Sequence, residues 1–267
     1  MTAQASTRRQ NRAPATAGPY VMPRVRWGLL DAFVLLAGVV ALIIGLQFGV
    51  RALGLPSGVA DLVVWVVGYG VILLSLWAIT RVRGTGSWAE DYGLRFRWFD
   101  TLIGFGSGIG VHIVGGLLAA VLVLLVGGAS RGNVQAESSD GIWLILNGFI
   151  AVVIVAPFAE ELLFRGLILR SIRHAFLRRS ATPSRALRAW AAIAAVGISA
   201  ALFSAAHLYE GWGSPATMVA LGAQTFVLGI VNGVYAVTTG RLWPGIITHM
   251  TFNLISAVVA AAQAHSG

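Results

Sequence analysis

Apolar residues gather into seven long runs, at 29–50, 59–80, 102–128, 142–169, 190–208, 216–239 and 243–262. Polar segments separate them. About 20 apolar residues wound as a helix cross the hydrocarbon core of a bilayer. The pattern therefore predicts an all-α fold, a polytopic transmembrane helix bundle of seven spans around a polar intramembrane cavity. The third and fourth runs are long enough to be tilted or broken, and an eighth element would arise there. The runs divide the chain into a flexible basic tail (1–28), N-terminal spans (29–140), core spans (141–262) and a short C-terminal tail (263–267). No small-residue cleavage site interrupts 29–50, so a retained first span is expected rather than a signal peptide. The halves do not match in length or breaks, unlike the paired repeats of many transporters.

Composition agrees. The chain of 267 residues is 57% hydrophobic and 11% charged, whereas soluble domains carry about 25% charged residues. So few charges cannot cover a water-facing surface of this size. The net charge of +9 would suit a nucleic-acid partner, but its distribution excludes one. All 19 basic residues are Arg, and 16 of them fall on alternate loops. Five lie in 1–28, four in 81–100, six in 170–189, and Arg241 sits in the last turn. Arginines cluster on cytoplasmic loops, so the N-terminus is predicted in the cytoplasm. Trp27, Trp88, Trp98, Trp143, Trp190, Trp212 and Trp243 fall near run ends, where interfacial rings are favoured. The Ala, Gly, Val and Arg content without Lys suggests a GC-rich bacterial genome, hence a bacterial plasma membrane. There is no cysteine, so thiol nucleophiles and Cys-based metal sites are excluded.

Charges inside hydrocarbon are costly, about 2.5–3.5 kcal/mol each on the lenient scale. Ionisable residues deep in a run are where function is to be sought. Asp31 and Asp61 start runs and can reach water. His112 stands alone in the third run and reads as a helix-packing partner. Gly104, Gly106, Gly108 and Gly110 allow close helix approach.

The second half differs. The fourth run carries Glu160, Glu161 and Arg165. Glu161 and Arg165 are i, i+4 and can pair on one face. Glu160 points about 100° away, from the 3.6-residue turn, and is left free as a candidate base. Phe203 and His207 lie one turn apart on the fifth run, and His249 and Asn253 on the seventh. Glu160 and His207 could polarise a water, and His249 and Asn253 could donate to a developing oxyanion. Polar clamps between helices are the competing explanation, but three such sets exceed what packing requires.

These residues carry a resemblance. EELLFR (Glu160–Arg165) resembles the EExxxR motif of the CAAX-prenyl-protease and bacteriocin-processing family, abbreviated CPBP or Abi. FSAAH (Phe203–His207) resembles its FxxxH motif, and HMTFN (His249–Asn253) its HxxxN motif. Order and span placement match over about 145–258. The resemblance implies an intramembrane endopeptidase acting on a membrane-anchored protein or peptide. Glu160 and His207 would activate water, and His249 and Asn253 would form the oxyanion site. Glu161 and Arg165 would hold the motif helix, with Phe203 in support. Members of that family have long been called metalloproteases, and a metal-free glutamate mechanism has also been argued. Without an HExxH helix, water activation with no cofactor is favoured. Zinc on Glu160, His207 and His249 is the alternative. A non-catalytic immunity or partner-binding protein of the same fold is the second functional reading, and a proton- or cation-coupled transporter the third. The CAAX substrate itself is not carried over.

One difficulty stands in the spans. At 1.5 Å per residue, Glu160 lies roughly 15 Å and His207 roughly 25 Å from the inner surface. They meet only if the fourth helix continues toward Arg178 or breaks near Pro157.

Overall fold

The structure, a computed structural model, describes residues 25–130, 141–178 and 180–266. Each apolar run is helical, and the described residues contain no strand. The helices are α1 (Leu29–Ala52), α2 (Ser57–Arg83), the short α3 (Trp88–Asp91) and α4 (Phe99–Val126). A continuous helix α5 covers 144–177. Then come α6 (Arg185–His207), a 3₁₀ turn (Leu208–Gly211), α7 (Pro215–Thr239) and α8 (Trp243–Ser266). Among the described residues, six helices are long and apolar enough to cross a membrane: α1, α2, α4, α6, α7 and α8.

The run expected as the fourth span, 142–169, is not a regular α-helix. Helix α5 alternates a π segment (Leu144–Val155), an α segment (Ala156–Glu161), a second π segment (Leu162–Ile168) and an α end (Leu169–Leu177). Each π turn takes in one residue more than an α turn, so it shifts the phase of the side chains that follow. Pro157 opens the central α segment. It has no N–H to give to the preceding turn, and the wide register before it accommodates that loss. Of the two ways to bring Glu160 and His207 together, the helix takes continuation: it runs on to Leu177 without a break.

The helix ends follow the local chemistry. Ser184 and Ser214 each accept a backbone N–H at the start of α6 and α7, as N-caps do. Gly240, with φ of 69°, closes α7 in the left-handed region. The tight α7–α8 hairpin depends on that conformation, which glycine adopts without strain.

The arginine-bearing segments lie at one end of the bundle and are tied together. Arg83 pairs with Asp31 at 2.8 Å and donates to the Arg26 carbonyl. Arg178 donates to the Val25 carbonyl, and buried Arg170 to the Gly240 carbonyl at 3.0 Å. Arg241 makes a close pair with buried Asp100. Most of the expected basic tail, residues 1–24, lies outside the described residues. Its last residues do not behave as a tail, since Val25 and Trp27 are buried. Trp27 packs on Tyr92 rather than facing an interface. Trp98, Trp190 and Trp212 are exposed. At the other terminus, α8 continues through residues 263–266, where a short tail was expected.

Small residues set the packing. An added Cβ at Gly104 would lie 2.5 Å from Ile247, and one at Gly108 would run into Thr251. These two glycines let α4 press against α8. Leu30, Phe33, Leu74, Leu117 and Leu124 point outward and are exposed. An apolar exterior over charged and amide groups inside is the arrangement lipid demands, since only the interior can satisfy polar groups there.

Candidate active site

Helix α5 brings its two glutamates to the middle of the bundle, between the two π segments. They have different surroundings. Glu161 is 1% exposed and its partner Arg165 is 0% exposed, at 3.1 Å. The same oxygen, Oε1, accepts the Asn232 amide from α7 at 3.0 Å. Nδ1 of His249 on α8 reaches it at 3.2 Å. The expected i, i+4 pair is therefore present and is the centre of a buried polar knot joining three helices. Arg165 also lies 4.3 Å from the Phe203 ring centroid, within cation–π range.

Glu160 turns away from this knot, as the helical phase predicts. It is not partnerless, however. The Tyr69 hydroxyl of α2 donates to its Oε1 at 2.8 Å. Its other oxygen, Oε2, stands 3.9 Å from Nε2 of His207 and 3.9 Å from Nε2 of His249. Phe203 packs on both imidazoles, with ring centroids 4.5 Å from His207 and 5.5 Å from His249. So Glu160, His207, His249 and Phe203 converge from three helices.

The hydrogen bonds assign the imidazole hydrogens. Nδ1 of His207 lies 2.8 Å from the Phe203 carbonyl oxygen. A carbonyl only accepts, so this Nδ1 carries the hydrogen. Nδ1 of His249 faces the Glu161 carboxylate, so it carries one too. In the neutral rings both Nε2 atoms then present lone pairs toward Oε2 of Glu160. Three acceptors thus face one another at a separation too long for a hydrogen bond. That set of acceptors suits a species that supplies hydrogens or positive charge.

Asn253 lies one turn along α8 from His249 and outside this trio. Its amide donates to the Val152 carbonyl in the first π segment at 2.8 Å. An amide nitrogen has two hydrogens, so this bond uses one. Among the described residues, no three His, Asp or Glu side chains stand close enough to hold a metal ion as they are. Near the far end of α6 a cavity of about 480 Å³ is lined by Glu210, Trp212, Ser214 and Thr217.

Residues 142–255 match the family described as type II CAAX prenyl endopeptidase Rce1-like. The chain carries an Rce1-like domain. No curated protein and no solved structure matches the chain. The matched segment contains Glu160, Glu161, Arg165, Phe203, His207, His249 and Asn253. It does not contain Tyr69.

Two contributors escaped sequence reasoning. Asn232 sits in an ordinary-looking apolar run, and its only signal was an amide in mid-span. Tyr69 gave less, because a tyrosine in a transmembrane run reads as packing until its hydroxyl is seen to have a partner.

Proposed function

We propose that the protein is an intramembrane endopeptidase that hydrolyses a peptide bond of a membrane-associated protein or peptide. The observation that carries this reading is the convergence of Oε2 of Glu160 and the two Nε2 atoms, at 3.9 Å each. The family match supports the reaction class.

Glu160 acts as the general base. Its Oε2 takes a proton from a water whose second hydrogen is held by Nε2 of His207. The water oxygen attacks the carbonyl carbon, and the negative charge passes to the carbonyl oxygen. Nε2 of His249 and the second hydrogen of the Asn253 amide stabilise that oxyanion. For His249 this requires the imidazolium form, with its Nδ1–H held by Glu161. Glu160 then returns the proton to the amide nitrogen, the C–N bond breaks, and a carboxylic acid and an amine leave. General acid–base catalysis of this kind contributes about 10²–10⁴-fold.

The fourth run serves as a seventh span, with the arginine-tied end of the bundle in the cytoplasm of a bacterial cell. The reacting groups then lie within the membrane, where a polar cavity admits water.

Zinc is the competing cofactor reading. Two imidazoles and a carboxylate are a catalytic zinc donor set. Zinc-bound histidines usually donate their other N–H to a carboxylate or carbonyl, as His207 and His249 do here. Glu160, His207 and His249 would then hold the ion, which would supply Lewis-acid chemistry.

The function is tested by comparing membrane fractions from cells carrying wild type or Glu160→Gln. Mass spectrometry of protein C-termini should show fragments that disappear in the variant. Identical C-termini in both, with any phenotype retained, would favour a binding or immunity role. Metal analysis of the purified protein decides the cofactor, and less than stoichiometric zinc in fully active protein is expected.

A further inference from the structure

We propose that Tyr69 is a positioning residue of this site: its hydroxyl holds Oε1 of Glu160 and thereby leaves Oε2 as the atom that faces the two histidines. The proposal rests on the endopeptidase reading above and adds to it a residue from the N-terminal spans, outside the Rce1-like domain.

A carboxylate has two oxygens, and a base on a mobile side chain would exchange them. Here they are distinguished. Oε1 accepts the Tyr69 hydroxyl at 2.8 Å, and Oε2 lies 3.9 Å from each Nε2. A hydrogen bond to an ionised group is among the stronger ones in proteins, so it fixes the carboxylate plane. Tyr69 is itself held. Its ring stacks on Trp65 with centroids 5.6 Å apart and planes within 2° of parallel.

Helix α2 is locked to α5 at a second point. The Asn147 amide donates to the Gly58 carbonyl at 3.0 Å. Trp143 lies against Gly58, where an added Cβ would be 2.5 Å from the indole. Two contacts on one helix pair, eleven residues apart on α2, fix its height and rotation. The hydroxyl therefore arrives at Glu160 by the register of α2 and not by chance proximity. Without α2, the glutamate would lack this restraint.

A hydroxyl that merely clamps α2 to α5 would matter for stability alone. A positioning hydroxyl must also change the carboxylate and the chemical step. The test uses the full chain in nanodiscs. The infrared difference between wild type and Glu160→Gln isolates the Glu160 carboxylate band. Tyr69→Phe is expected to move that band. It should also lower kcat by about 10–100-fold, the scale set by losing a bond to a charged group, with KM unchanged within about twofold. The kinetic substrate is the protein whose cleavage Glu160→Gln abolishes.

Replacing Tyr69 by 3-fluorotyrosine makes a stronger donor of nearly the same shape. It should move the band in the opposite sense, and it keeps the test open if Tyr69→Phe folds poorly. An unmoved band in both variants, or an unchanged kcat in Tyr69→Phe, overturns the proposal. Should Glu160→Gln leave cleavage intact, the endopeptidase reading has failed and the proposed role fails with it. A band that still moves in Tyr69→Phe would separate that failure from failure of the Tyr69–Glu160 contact.

Discussion

Removing Arg165 should expose how the buried knot is held. In Arg165→Met, a side chain of similar length and no charge replaces one that is 0% exposed. Glu161, itself 1% exposed, would lose its cation at 3.1 Å. Its carboxylate would keep only the Nδ1–H of His249 and the amide of Asn232. Breaking a buried ion pair from one side typically costs about 3–5 kcal/mol, because the remaining charge is left uncompensated. This corresponds to a shift of roughly two to nearly four orders of magnitude in the folding equilibrium. The cation–π contact with Phe203 would go at the same time. The assay is reversible unfolding in mixed micelles titrated with SDS. The double variant Arg165→Met/Glu161→Gln removes both charges and should recover more than half of the loss. An Arg165→Met variant within about 1 kcal/mol of wild type, as for an exposed pair, would show that the pair does not hold the knot. So would a double variant as unstable as the sum of the singles.

Further outcomes follow from packing, orientation and burial. Gly108→Ala should destabilise by about 1–3 kcal/mol, the usual range for overpacking, because its Cβ meets Thr251. Gly106→Ala, with open space around it, should be neutral or slightly stabilising, and SDS unfolding compares the two. The chain has no cysteine, so Arg95→Cys and Trp212→Cys give single labelling sites at exposed positions. An impermeant maleimide should label Arg95→Cys only after the cell is opened and Trp212→Cys in intact spheroplasts. Burial holds the Tyr92 phenol above its ordinary range, so folding resists its ionisation. Its contribution is complete below about pH 10 and is lost as pH rises further. Tyr92→Phe should flatten that alkaline fall in melting temperature, although it also gives up the bond to the Leu76 carbonyl.

Much of this architecture is written in the hydrophobic pattern. Runs of about 20 apolar residues admit few alternatives in a bilayer, because backbone groups there must bond internally. The arginines mark which loops share a face, and the ties from Arg83, Arg178, Arg170 and Arg241 bring those loops together. Helical phase alone separates Glu160 from Glu161, since adjacent residues on a helix point about 100° apart.

The remainder depends on tertiary register. The π segments of α5 leave no trace in composition, and they flank the segment that carries both glutamates. Trp27 reads as an interfacial anchor, but the chain before α1 folds back and buries it against Tyr92. Glu160 reads as free because its partner is ninety-one residues away on another helix. Asn253 reads as one of a pair with His249, yet its amide reaches across to the Val152 carbonyl. Sequence spacing describes one helix at a time, and these are contacts between helices.

Glu160 is proposed to remove the proton from the attacking water. The most direct measurement is the cleavage rate of a purified substrate by wild type and Glu160→Gln in proteoliposomes. Glutamine keeps the shape and can still accept the Tyr69 hydroxyl, but it cannot take a proton. If Glu160 is the base, kcat falls about 10²–10⁴-fold with folding intact. A Glu160→Gln protein that cleaves within a few-fold of the wild-type rate would contradict it.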